Sequence, residues 1–305
     1  MDDIETGRAA VLAGHGCDED GPYLLVNDRV RNVQVRVSVR GRTFSLLRLP
    51  VRRCVGRHDL ETHAKMPCPL DVELPPGSKV TVCPACQEAT GFNPSFYHTD
   101  FVSPQQRAYN AEPHIAYLAY FSPAHVKAGI TAASRGVRRL LEQGARAGRI
   151  VGRFDDAYAA RELEAALCAQ PGIAETMRAS KKADLLANER FDAAEAAAVL
   201  DREAARLAQV EAVARAGFAP EPVQDFSPCY FGGPSPSCDD LQQPDGARDV
   251  CGGRCIGMVG SAIVFEQGGA SFVVCLKDWE SHEVELVENE VLCTYDFAPQ
   301  QMSLL

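Results

Sequence analysis

Four cysteines early in the chain carry the plainest chemistry. Cys54, Cys68, Cys83 and Cys86 have the spacing Cys-x13-Cys-x14-Cys-x2-Cys. A Cys-x2-Cys pair forms a knuckle that presents two thiolates to one zinc, and two more complete a tetrahedral site with no position left for water. Gly56 and the neighbouring Pro67, Pro69 and Pro84 suit tight knuckle loops, so the metal expected here is a structural zinc. His58, His63 or His98 could replace one cysteine. The alternative is a set of buried thiols, with Cys83 and Cys86 redox-active. A looser quartet, Cys229, Cys238, Cys251 and Cys255, could hold a second metal or consist of free loop cysteines. Cys168 and Cys275 read as core residues.

The cysteine count matters because of the setting. The chain opens Met1-Asp2-Asp3-Ile4-Glu5-Thr6, without the basic-then-apolar pattern of a signal peptide, and no apolar run is long enough to span a bilayer. That points to a cytoplasmic protein, where twelve cysteines are better explained by metal ligation or free thiols than by disulfides. The formal net charge is −10, yet two segments are strongly basic. Residues 21–58 hold nine arginines against Asp28 alone, and residues 114–153 hold Lys127 and six arginines against Glu142. Such local excess fits contact with a polyanion, nucleic acid above all; solvated faces balanced by acidic regions are the alternative.

The elements that must position these groups can be read from pattern. Tyr23–Val26, Val33–Val39 and Thr43–Leu49 read as strands, the second with clean apolar–polar alternation. Residues 1–20 read as a frayed tail and 103–113 as a polar linker. His114–Phe121 and His125–Thr131, joined by Ser122-Pro123-Ala124, read as a β-hairpin. A helix is expected over 132–145, a third strand over 149–154, and helices over 157–170 and 173–188. A long amphipathic helix over 191–216 offers packing or self-association. A Pro/Gly/Ser-rich loop covers 218–246, and four apolar segments between Cys255 and Val287 suggest strands that pair with those near the N-terminus.

The hairpin, Gly129-Ile130-Thr131 and an arginine-bearing helix together resemble the opening of the GIY-YIG nuclease superfamily. Ile115-Ala116-Tyr117 falls where the first signature tripeptide would be, and Lys127-Ala128-Gly129 where the second would be. The resemblance covers about residues 114–170. It implies a small antiparallel sheet with flanking helices, and a site in which Tyr117, Arg139 (Arg138 as fallback) and Glu164 surround a phosphate. Glu164 would hold a catalytic Mg or Mn, with Glu162 its rival about 200° away on the helix. Lys127 replaces the second signature tyrosine, and could act as a base when neutral or clamp phosphate when charged. His125, two residues earlier on the same strand, is a substitute base. Arg135, Arg138 and Arg146 are the arginines that would touch nucleic acid.

The wider layout resembles an uncharacterised bacterial family. Its members place a cysteine cluster ahead of such a core, carry a phrase Leu-x-Glu/Asp-Gln-Gly-Ala, here Leu140-Leu141-Glu142-Gln143-Gly144-Ala145, after the hairpin, and end in a Gly-rich β-segment like Ile256–Gly260. The expectation is an α+β protein: N-terminal strands (1–52), a zinc-knuckle region (53–100), a GIY-YIG-like core (114–217), a linker (218–250), and a C-terminal β-segment (251–305) pairing with 21–50. Its function is expected to be nucleic-acid binding, with or without metal-dependent phosphodiester cleavage. A catalytically inactive nucleic-acid or protein-binding module and an enzyme on a small substrate are the alternatives. No Walker loop, dinucleotide fingerprint or Ser/His/Asp pattern supports another named chemistry.

Overall fold

A computed structural model describes residues 9–93, 102–244 and 248–295. The chain opens with β1 (Ala9–Asp18), β2 (Gly21–Asp28), β3 (Val33–Ser38) and β4 (Thr43–Arg52). A cysteine region follows, with the two-residue strands β5 (Arg57–His58) and β6 (Lys65–Met66), then α1 (Pro84–Thr90) and α2 (Pro104–Asn110). The middle of the chain carries β7 (His114–Ser122), β8 (His125–Ala132), α3 (Arg138–Glu142), β9 (Ala147–Phe154) and α4 (Ala157–Cys168). It continues through β10 (Ile173–Ala174), α5 (Ala179–Asn188), α6 (Ala193–Leu207), α7 (Glu211–Arg215), β11 (Gln224–Asp225) and α8 (Ser227–Phe231). β12 (Leu241–Gln242), β13 (Val250–Val259), β14 (Ala262–Gln267), β15 (Ala270–Cys275) and β16 (His282–Glu288) complete it.

The architecture is α+β, and the two ends of the chain do share a sheet. Its nine strands run β12-β15-β14-β13-β4-β16-β1-β2-β3. β4 sits between β13 and β16, with Leu46 opposite both Cys251 and Leu286. Leu12, Leu24, Phe44, Leu46, Phe265, Trp279 and Val284 fill one core of this sheet. Burying each such side chain contributes about 1.5–3 kcal/mol, which ties the N-terminal strands to the C-terminal ones.

The second sheet has the order β10-β8-β7-β9-β11. Every residue of β7 is buried, because both faces of the strand are covered. Ala116, Leu118 and Tyr120 pack on Leu163 and Leu167 of α4 and Val199 and Leu200 of α6. Tyr117, Ala119 and Phe121 pack the other way, onto Leu140, Leu141, Leu185 and Val264 of the large sheet. That two-sided burial explains the unbroken apolar run that marks this strand in the sequence.

Several elements differ from the sequence reading. Ala9–Asp18 is no frayed tail but an interior strand between β16 and β2. Its Ala and Gly content hides its strand character, and Gly14 (φ 144°) takes up a bulge. The helix expected over 132–145 is only α3: β8 runs through Ala132, and Gly136 at φ 47° breaks the chain before Arg138. The polar linker contains α2, capped by Ser103 Oγ accepting from Gln106 N–H. The 173–188 helix begins only at Ala179, after β10. The long helix divides at Val210, whose backbone is extended, and its apolar stripe (Ala196, Val199, Leu200, Leu207) is spent on the small sheet. The 218–246 stretch packs rather than dangles: Tyr230 is buried, and its hydroxyl donates to Ala145 O at 2.8 Å.

Candidate metal centre and basic cavity

The cysteines reach one point from three places. Cys54 follows β4, Cys68 follows β6, Cys83 caps α1, and Cys86 lies in its first turn. All four are buried, and their Sγ atoms lie within 4.8 Å of one another, Cys68 and Cys83 at 4.0 Å. A tetrahedral zinc–thiolate centre with bonds of about 2.3 Å needs sulfurs about 3.8 Å apart, so the quartet could hold a zinc ion. Two backbone donors already aim at a sulfur: Cys83 N–H at 3.1 Å and Gly56 N–H at 3.4 Å from Cys54 Sγ. Gly56 is required there, since it sits at φ 99° and a Cβ would collide with Met66 O. Burial raises the thiol pKa of Cys54, to about 11, and that of Cys86; for Cys83 the Cys86 N–H and the neighbouring thiols outweigh burial and leave it lowered.

Among the described residues this is the one group of His, Cys, Asp and Glu side chains able to hold a metal. His58 and His63 lie outside the quartet, with their rings 6.2 Å apart; His98 lies outside the described residues. The looser quartet is not gathered. Cys251 and Cys255 are buried in the large-sheet core, while Cys229 sits beside Cys17, whose Sγ is 3.5 Å from Cys229 O.

The nuclease-like residues partly converge. Tyr117 pairs with Gly129 across the hairpin and lays its ring over that glycine, where a Cβ would strike the phenol. Its hydroxyl accepts from Gln143 Nε2 at 2.6 Å; burial raises its pKa against the pull of Arg139 and Gln143. Lys127 Nζ stands 5.7 Å from the Tyr117 ring centroid and donates to Ala128 O at 3.0 Å. Burial lowers its pKa, and Glu164 opposes the shift. Glu164 turns inward while Glu162 is exposed, which decides between the two. Tyr117, Lys127, Arg139 and Glu164 thus feel one another's charge.

Chemically, the group is closed. Tyr117, Lys127 and Glu164 are 1%, 9% and 7% exposed, and Arg161 donates to Glu164 at 2.5 Å. The catalytic Mg or Mn expected at Glu164 would find that carboxylate and the neighbouring Glu175 already ion-paired to Arg161 and flanked by cations, and these residues do not fit it. His125 is held at the hairpin turn, its Nδ1 2.7 Å from Ser122 Oγ. Arg146 is a correction: it is buried, donates to Glu189 O at 2.7 Å and lies over the Phe191 ring, so it is not a surface contact. Arg138 is exposed, and Arg135 ion-pairs with Glu142.

Arg135 and Arg139 have another setting that no motif announces. They help line a cavity of about 770 Å³ between the cysteine region, β1 and α3. Six cationic residues and two carboxylates, Glu142 and Glu280, line it, together with His15 and His58. Burial raises the Glu280 carboxyl, but the His15 hydrogen bond and Lys277 outweigh it and leave the pKa below its ordinary value. A folded-state pKa held down contributes stability above the unfolded value, about pH 4.3, that is lost as pH falls through the folded value. Glu280→Gln is therefore expected to flatten the fall of Tm below that pH; an unchanged acid slope would contradict the assignment.

No helix among the described residues is long and apolar enough to cross a membrane. Neither the curated proteins nor the solved structures include a match to this chain. A family model described as "Protein of unknown function (DUF2797)" matches residues 97–284, from just past the cysteine centre, through the small sheet and its helices, into β16. With more than half its length matched, the chain belongs to the DUF2797 family.

Proposed function

We propose that this protein is a zinc-stabilised nucleic-acid-binding module built on a GIY-YIG-like hairpin and helix. The observation that carries the reading is the cationic cavity beside the Tyr117–Lys127–Arg139–Glu164 group. A polyanion is the partner that a concentration of Arg and Lys on a chain of net charge −10 would select. Zinc at Cys54, Cys68, Cys83 and Cys86 has a structural role: it holds the loops that form one wall of the cavity.

Binding without cleavage is the favoured form, because the enclosed Glu164 carboxylate is already engaged by Arg161. The gathering of four nuclease-like residues favours cleavage as the second reading. Labelled single- and double-stranded DNA and RNA should be retained by the zinc-loaded protein in gel shifts, and stay intact when Mg²⁺ or Mn²⁺ is added. Cleavage that disappears in Glu164→Ala would establish the nuclease instead. Absence of retention for every nucleic acid would remove the reading altogether.

A further inference from the structure

The cavity holds cations in excess of what the fold uses. Lys65 lines the cavity with its side chain exposed, and its ammonium is set against the β1 bulge: a Cβ on Gly14 would stand 3.7 Å from its Nζ. It makes no hydrogen bond or ion pair with any described residue. It feels Glu142 and Glu280 across the space, but both are taken, the first by Arg135 and the second by Lys277. Arg57 is half-buried beside it, and among the described residues its Nη2 meets the Met66 sulfur, at 3.8 Å, and no carboxylate. Six cations around one cavity, against two carboxylates that are already paired, leave positive charge that an anion from outside would balance.

The remaining wall says what that anion is attached to. Phe92 and Tyr109 line the same space, edge to face with ring centroids 6.3 Å apart, beside apolar residues of the cysteine region. The volume is that of a small-molecule site. A ligand with one end multiply anionic and the other flat and apolar fits both halves.

We propose that this cavity binds the phosphate of a nucleotide, with Lys65 and Arg57 meeting the charge and the Phe92–Tyr109 side meeting the base. A phosphate offers several acceptor oxygens to an ammonium and a guanidinium together, which a single carboxylate does so less well. Naming a nucleotide as the carrier rests on the nucleic-acid reading above; the anion site itself does not. The carrier is either the phosphorylated end of a strand or a free nucleoside monophosphate.

The test measures binding of the full-length zinc-loaded protein to one single-stranded oligonucleotide bearing a 5′-phosphate or a 5′-hydroxyl, and to AMP. The phosphorylated strand, AMP or both should bind about tenfold better than the matching unphosphorylated compound. Lys65→Met should erase that preference and Lys65→Arg should keep it, both with unchanged zinc content and Tm. AMP competing with the strand supports the free nucleotide as carrier; a strand preference that AMP does not disturb supports the end. Strands bound without any phosphate preference, or a preference that survives Lys65→Met, would overturn the proposal and leave the nucleic-acid reading standing. AMP bound through Lys65 with no strand bound at all would do the reverse.

Discussion

Cys68→Ser is expected to remove zinc from the protein and lower its stability by on the order of 5 kcal/mol. The described part of the segment between β4 and α2 has only a small core of its own. Its own core consists of the four cysteines and Leu74, with Val72 and Val82 packed against them, and among the described residues its strands are two residues long. A metal that joins Cys54, Cys68, Cys83 and Cys86 closes two loops at once, so the energy of metal binding becomes energy of folding. Elemental analysis should find one zinc per chain in the wild type and none in the variant. A strong chelator should lower the wild-type Tm to nearly that of Cys68→Ser and leave the variant unmoved. If the four are only buried thiols, the substitution costs little more than one polar replacement and the chelator does nothing. The two cases differ by several kcal/mol, well beyond experimental error.

The second large effect is at Arg52, the tie between this segment and the large sheet. Arg52 lies at the end of β4 and is 8% exposed. Its guanidinium donates to Ser281 Oγ at 2.7 and 3.0 Å, to Val80 O at 3.0 Å, and to Ser78 O. Ser281 is fully buried, on the approach to β16, while Ser78 and Val80 belong to the loop that leads to Cys83. One side chain thus fixes the loop to the sheet. Arg52→Ala would orphan a buried hydroxyl and free the loop, at about 3 kcal/mol, since hydrogen bonds from a charged group are worth more than neutral ones. Arg52→Lys keeps the charge but loses the planar fork, so it should recover only a minor part. Thermal unfolding of the three proteins at equal zinc content checks this; an Arg52→Ala variant as stable as wild type would show that the loop is held by other means.

How much of this was legible in the sequence follows from what each signal requires. The β7–β8 hairpin could be read because both faces of β7 are covered, which forces eight apolar or small residues, 115–122, in succession. The gathering of Cys54, Cys68, Cys83 and Cys86 could be read because a knuckle has a fixed spacing. β3 declared itself by alternation, and the pairing of chain ends followed from having strands at both. β1 was hidden, since its Ala and Gly residues pack tightly yet carry no strand propensity. The sequence marks Arg146 as charged like Arg138, but only the fold reveals that one is buried under α5 and Phe191 and the other exposed. The cavity had no local signature at all. Gly14, Lys65, Arg135 and Lys277 come from widely separated parts of the chain, and it is the fold that brings them to one cavity.

The salt dependence of nucleic-acid binding tests the central claim most directly. Affinity of the zinc-loaded protein for a labelled oligonucleotide would be measured at several salt concentrations, beside Arg138→Ala, whose exposed guanidinium makes no ion pair with a described residue. The account predicts that log affinity falls linearly with log salt, and that Arg138→Ala weakens binding to all sequences alike and reduces the slope by about 1. Binding that is absent, or that ignores both salt and Arg138, would contradict it.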